Sequence, residues 1–84
     1  MYYVYFLKSI KDGKLYIGST PDLKKRFRQH QQGQSKATKS RRPFKLIYYE
    51  AYSHKDDAKA REKFYKTGWG KNHMNKHLPK TLLS

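Results

Sequence analysis

The chain reads as α/β of the α+β type, a three-stranded antiparallel sheet flanked by helices, and three observations carry this. Its 84 residues hold one domain, because so short a chain buries too little surface for two cores. Three runs, 2–8, 15–19 and 44–52, have the aromatic and β-branched composition of strands. Two further stretches show helical periodicity with capping residues at their starts.

The first run, YYVYFLK, is too short for an isolated helix and is followed by the turn signal Asp12-Gly13. The second run resumes at Leu15, so the two form a hairpin. With Asp12 and Gly13 as the two central turn residues, Lys11 faces Lys14, and Tyr5 and Tyr16 share one face of the sheet. Any odd register gives that result. Thr20-Pro21 has the form of an N-cap followed by proline at the first helical position, and Gly33 is a stop, so a helix is predicted over 21–32. Leu23, Phe27 and His30 fall on one face of it, with Arg26 one turn before His30.

Residues 33–43 have no apolar periodicity and read as a mobile basic loop before the third strand, Phe44 to Tyr52. Ser53 with Asp56 resembles a capping box that opens a second helix from His54 to Lys66. Lys55, Lys59, Lys63 and Lys66 form a stripe along it, and Glu62 borders its packed side. Gly68-Trp69-Gly70 reads as a break before a last helix over 72–83, which Pro79 must shorten or interrupt.

Composition narrows function. Twenty Lys and Arg against six Asp and Glu leave a formal charge of +14, which points to a polyanionic partner. Nucleic acid is the default, DNA or RNA, and no run approaches the roughly 18 apolar residues of a membrane span. The absence of cysteine removes disulfides, thiolate zinc sites and a cysteine nucleophile together. The N-terminus has neither a charged leader nor a cleavage site, which makes a cytoplasmic location the expectation. Aromatic content of 15%, including eight Tyr, argues for a folded body rather than a basic tail.

Taken singly, the chemistry-bearing residues have bland readings. Glu62 reads as an i, i+4 partner of Lys66, Arg26 as a phosphate contact or solvated side chain, and His30 as a packed helix histidine. Tyr5 and Tyr16 read as ordinary strand aromatics, and Trp69 as a core residue with base stacking as the alternative. His73 and His77 have the i, i+4 spacing of a metal pair but lack a third ligand.

Taken in order, Y-V-Y, Y-I-G, Arg-x-x-x-His and a helical Glu form a series that resembles the GIY-YIG nuclease family over roughly residues 2–75. The match is to short stand-alone members, similar to the catalytic module of excision-repair incision subunits. YYVY, LYIGST and the stretch from Ala60 to Gly70 carry it. The resemblance implies a metal-dependent DNA endonuclease acting in repair, recombination or processing of structured DNA, with a non-catalytic binding module of the same fold as the alternative.

It also implies the roles. Tyr5 and Tyr16 take the places of the two motif tyrosines, one of which helps deprotonate the attacking water; positive charge from Arg26 and the metal has to lower its pKa. Arg26 holds the scissile phosphate, His30 orients a tyrosine or the water, and Glu62 is the direct protein ligand of a single Mg²⁺ or Mn²⁺ ion. Lys24, Arg26, Lys36, Lys39, Arg41 and Arg42 are the expected nucleic-acid contacts. Two features depart from the family pattern: Tyr3 stands where the first half-motif has glycine, and either Asn72 or Asn75 is a candidate for the family's active-site asparagine. Substrate choice stays open between structured or damaged DNA, a cut directed by a protein partner, and little specificity.

Overall fold

The computed structural model describes residues 1–84. Strands β1 (Tyr2–Ser9), β2 (Leu15–Thr20) and β3 (Phe44–Tyr52) form an antiparallel sheet in the order β2-β1-β3. Helix α1 (Leu23–Gln31) covers one face, and α2 (Lys55–Tyr65), α3 (Gly68–His77) and the short α4 (Pro79–Leu82) serve the other. The predicted α+β architecture is the observed one.

Alternation along the central strand divides the interior. Val4 and Phe6 pack with Ala58, Tyr65 and Met74 beneath α2 and α3, whereas Tyr5 and Leu7 pack with Phe44, Leu23 and Phe27 beneath α1. A bulge between Phe6 and Leu7 in the β1–β3 pairing lets β3 serve both faces. Leu46 pairs with Leu7 and Tyr48 with Phe6, so Phe44 and Leu46 join the α1 side while Tyr48, Glu50 and Tyr52 join the other.

Several predicted details need correction, each for a local reason. The hairpin is not closed by a two-residue Asp12-Gly13 turn: Tyr5 pairs with Gly18, and Ser9 N–H donates to Lys14 O at 2.9 Å across a four-residue loop. Buried Ser9 dictates this, since its Oγ accepts from the N–H groups of Lys11 and Asp12, both at 3.2 Å, and Gly13 closes the loop at φ +73°. The register shifts by two and its parity survives. Helix α1 starts two residues later than expected, because Asp22 rather than Thr20 caps it, accepting from Lys25 N–H at 3.1 Å. In α2 the cap is His54, whose Nδ1 accepts from Asp56 N–H, in place of Ser53.

Gly68-Trp69-Gly70 is the first turn of α3 and not a break, because Thr67 Oγ1 accepts from Gly70 N–H at 3.1 Å. A Cβ at Gly70 would collide with the Phe64 carbonyl and Tyr65 Cα, so glycine is what brings α3 against the end of α2. Trp69 is 82% exposed, which overturns its reading as core. The 33–43 segment, read as a mobile loop, has a defined course: a single 3-10 turn at Lys39–Arg41 and a fully buried Thr38.

Candidate functional site

Parity brings Tyr5 and Tyr16 to the α1 face, with ring centroids 6.4 Å apart. His30 arrives from the last turn of α1, fully buried, its ring centroid 5.8 Å from Tyr5 and 5.0 Å from Tyr16. Its two nitrogens are both engaged: Nε2 with the Tyr5 hydroxyl at 2.9 Å and Nδ1 with Thr38 Oγ1 at 2.7 Å. Tyr5 in turn lies against Gly18, where a Cβ would sit 2.5 Å from its hydroxyl oxygen. The glycine of the second half-motif is therefore the notch that receives the first tyrosine.

Burial and charge set the protonation states. Burial pushes the Tyr5 phenol up to about 12, assisted by Tyr16 and opposed by the Arg26 charge. The expectation that positive charge would lower a motif tyrosine is thus reversed at Tyr5, where desolvation outweighs Arg26. Burial, with the Arg26 charge, depresses His30 to about 4. Both are neutral at pH 7, and Thr38, His30 and Tyr5 form an uncharged hydrogen-bonded rail. Tyr16 is half-buried and its hydroxyl has no protein partner.

Arg26 is half-buried on the exposed side of this rail. Its guanidinium donates to Gln29 Oε1 at 3.1 Å and reaches Ser35 Oγ at 3.5 Å, which fixes the fork beside an open polar groove lined by Thr20, Pro21 and Lys25. Glu62 comes from the opposite face of the sheet. Ser19, next to Gly18 on the edge strand β2, donates to Glu62 Oε1 at 2.6 Å, so the carboxylate stands over the rim of β2 where Tyr5 packs beneath it. Burial pushes Glu62 up, but hydrogen bonds from Lys66 and Ser19 and the charges of Lys66 and Lys59 more than offset this and hold it below the usual carboxylate range. A groove of about 470 Å³ along Ser19, Thr20, Lys55 and Lys59 meets the Arg26 groove at Thr20 and Pro21.

Among the residue types that bind metals, no group of three or more comes together. An ionised carboxylate on an open rim fits one hard divalent ion whose shell is completed by water and phosphate, and does not fit a two-metal cage. Lys66 Nζ, 2.7 Å from Glu62 Oε2, occupies one of its oxygens. His73 and His77 stack at 4.3 Å, but the Arg61 guanidinium sits 3.2 Å from His73 Nε2, where a ligand would have to bind.

Lys24, Lys36, Lys39 and Arg42 are exposed. Arg41 is turned inward, 3.4 Å from Asp12 in the hairpin loop. Asn72 and Asn75 lie exposed on α3 without hydrogen-bond partners. Sequence reasoning missed Ser19 and Thr38. Strand alternation on either side of Gly18 could have found Ser19; nothing local marks Thr38, whose role depends on the return of the loop over His30. It also missed Glu50, whose carboxylate accepts from the hydroxyls of Tyr48, Tyr52 and Tyr65 and pairs with Arg61 at 3.3 Å on the α2 face.

Residues 1–75 match the family described as the GIY-YIG catalytic domain. A UPF0213 protein of Staphylococcus saprophyticus is 45% identical over 67 residues, covering 79% of this chain and 80% of that one. A UPF0213 protein of Clostridium perfringens is likewise 45% identical over 67 residues, with 79% and 71% covered. The solution NMR structure of a UPF0213 protein from Bacillus halodurans superposes with a TM-score of 0.58 at 31% identity, over 100% of this chain and 95% of that chain. The names of these relatives state no activity.

Proposed function

The chain belongs to the GIY-YIG catalytic-domain family, and from that premise we propose that it is a metal-dependent endonuclease hydrolysing DNA phosphodiester bonds at the rim of β2, in repair, recombination or processing of structured DNA. One arrangement carries the reading: Glu62 is bonded to Ser19 on one side of the rim, while Tyr5 packs on the adjoining Gly18 from the other, beside Arg26.

In this reading the Arg26 fork binds the scissile phosphate and stabilises the charge that grows on it in the transition state. Tyr16, whose hydroxyl is free, gives its own proton to solvent and, as the phenolate beside the Arg26 charge, takes the proton of the attacking water. Tyr5 stays a neutral phenol and, with His30 and Thr38, holds the floor of the site rigid. Glu62 holds the single Mg²⁺ or Mn²⁺ ion, which when bound supplies Lewis-acid stabilisation of the phosphate oxygens. Lys66 has to leave its Glu62 oxygen first.

That lysine contact is the one observation favouring a second reading, a binding module whose carboxylate stays committed to an ion pair. The two separate on a panel of duplex, flap, bubble and single-stranded DNA incubated with magnesium or with EDTA. The nuclease reading expects strand scission with magnesium only and loss of at least a hundredfold in Arg26→Ala. Retention of every substrate without scission in magnesium and in manganese supports the binding module instead.

A further inference from the structure

We propose that the groove between α1 and the β1–β3 half of the sheet is a base-binding subsite, in which Tyr3 and Tyr49 hold one unpaired nucleobase of the strand whose phosphate Arg26 engages. The groove is about 460 Å³ and is walled by Tyr3, Tyr49, Phe27, Leu23 and Leu46, with Lys24 as its cation. Tyr3 and Tyr49 meet edge to face with centroids 6.0 Å apart, an arrangement that leaves a ring face uncovered. Tyr49 is 53% exposed, and neither hydroxyl has a partner in the protein. Two free phenols and an open aromatic face can stack on a base and bond its edge.

Position and charge select the occupant. The groove shares Pro21 and Asp22 with the one Arg26 lines, so a strand held at Arg26 can place a neighbouring nucleotide in it. Tyr49 is also the cross-strand partner of Tyr5, on the same face as the rest of the site. A second copy of this chain would bring another +14 charge against the first, whereas a nucleotide brings a phosphate to Lys24 and an apolar ring to the walls. A paired base has both faces and its pairing edge already occupied, so entry requires an unpaired one. Tyr3, standing where the first half-motif has glycine, supplies one wall; a glycine there would leave the slot open on that side.

The inference rests on the nucleic-acid reading above but not on cleavage, so the test is a binding measurement in EDTA. A labelled single-stranded hexamer is compared with a hexamer of abasic tetrahydrofuran residues carrying the same phosphates, by fluorescence anisotropy. The wild type is expected to prefer the hexamer with bases by about tenfold. Trp69→Ala keeps that preference, Tyr49→Phe, which keeps the stacking face and loses one hydroxyl, lowers it less than Tyr49→Ala does, and Tyr3→Ala and Tyr49→Ala cut it severalfold. Equal binding of both hexamers by the wild type, or a preference that survives both tyrosine-to-alanine changes, overturns the subsite. Scission of the intact hexamer is scored separately in magnesium. A tyrosine-dependent preference without scission leaves the subsite standing and counts against the nuclease, and scission with a tyrosine-independent preference does the reverse.

Discussion

Tyr5 and Tyr16 are the same residue type on the same face of one hairpin, yet their surroundings assign them different work. Tyr5 is 1% exposed, bonded to His30, and pushed up to about 12, which is the basis for the neutral, supporting role proposed for it. Tyr16 keeps a free hydroxyl. Tyr16→Phe is therefore expected to lower the cleavage rate by about a hundredfold or more, as for loss of a general base, with thermal stability unchanged. Tyr5→Phe is expected to destabilise by about 1–3 kcal/mol, because it leaves buried His30 Nε2 without a partner; thermal unfolding of the two variants distinguishes the roles. His30 gives a pH signature. Its pKa is near 6.5 unfolded and about 4 folded, so between those values the unfolded chain binds more protons. The stability it contributes is full above pH 6.5 and is lost as pH falls through about 4. Urea denaturation at steps from pH 7 to pH 4 should show that decline, and His30→Asn should flatten it.

At the level of elements, local patterns located all three strands and helices α1 and α2, because aromatic runs and capped periodic stretches are local signals. Boundaries moved where a cap was chosen by neighbours: Asp22 outcompetes Thr20 since Thr20 is still paired to Tyr3 in the sheet. The face shared by Tyr5 and Tyr16 was legible because side-chain parity survives a two-residue register shift. The Ile47 bulge was not, since the run Leu46-Ile47-Tyr48-Tyr49 breaks the alternation of the strand without marking which residue is extra, and only pairing with β1 reveals the switch. Nor was the α2–α3 corner, where Gly68 and Gly70 read as breakers until Thr67 capped the helix through them. Gly70→Ala places a methyl against the Phe64 carbonyl and is expected to destabilise by about 1–3 kcal/mol or more. Gly68→Ala, with open space around its Cβ position, should be tolerated; thermal unfolding of the pair tests the corner.

Across the whole molecule, the sheet divides the chemistry. The α1 face carries the tyrosine–histidine rail and Arg26, the opposite face carries Glu62 and the lysines of α2, and they meet at the rim of β2 near Gly18, Ser19 and Thr20. The sequence order of these residues was readable in advance, but their convergence around an edge strand required the sheet order. The charge of +14 gives attraction for any polyanion; it does not give scission. That claim rests on Glu62, and it is tested most directly by the magnesium dependence of DNA cleavage by the wild type and Glu62→Ala at matched DNA occupancy. Wild-type cleavage should rise with magnesium and saturate, while Glu62→Ala binds as well and stays at background. A Glu62→Ala protein that cuts as fast as the wild type across the titration contradicts the account.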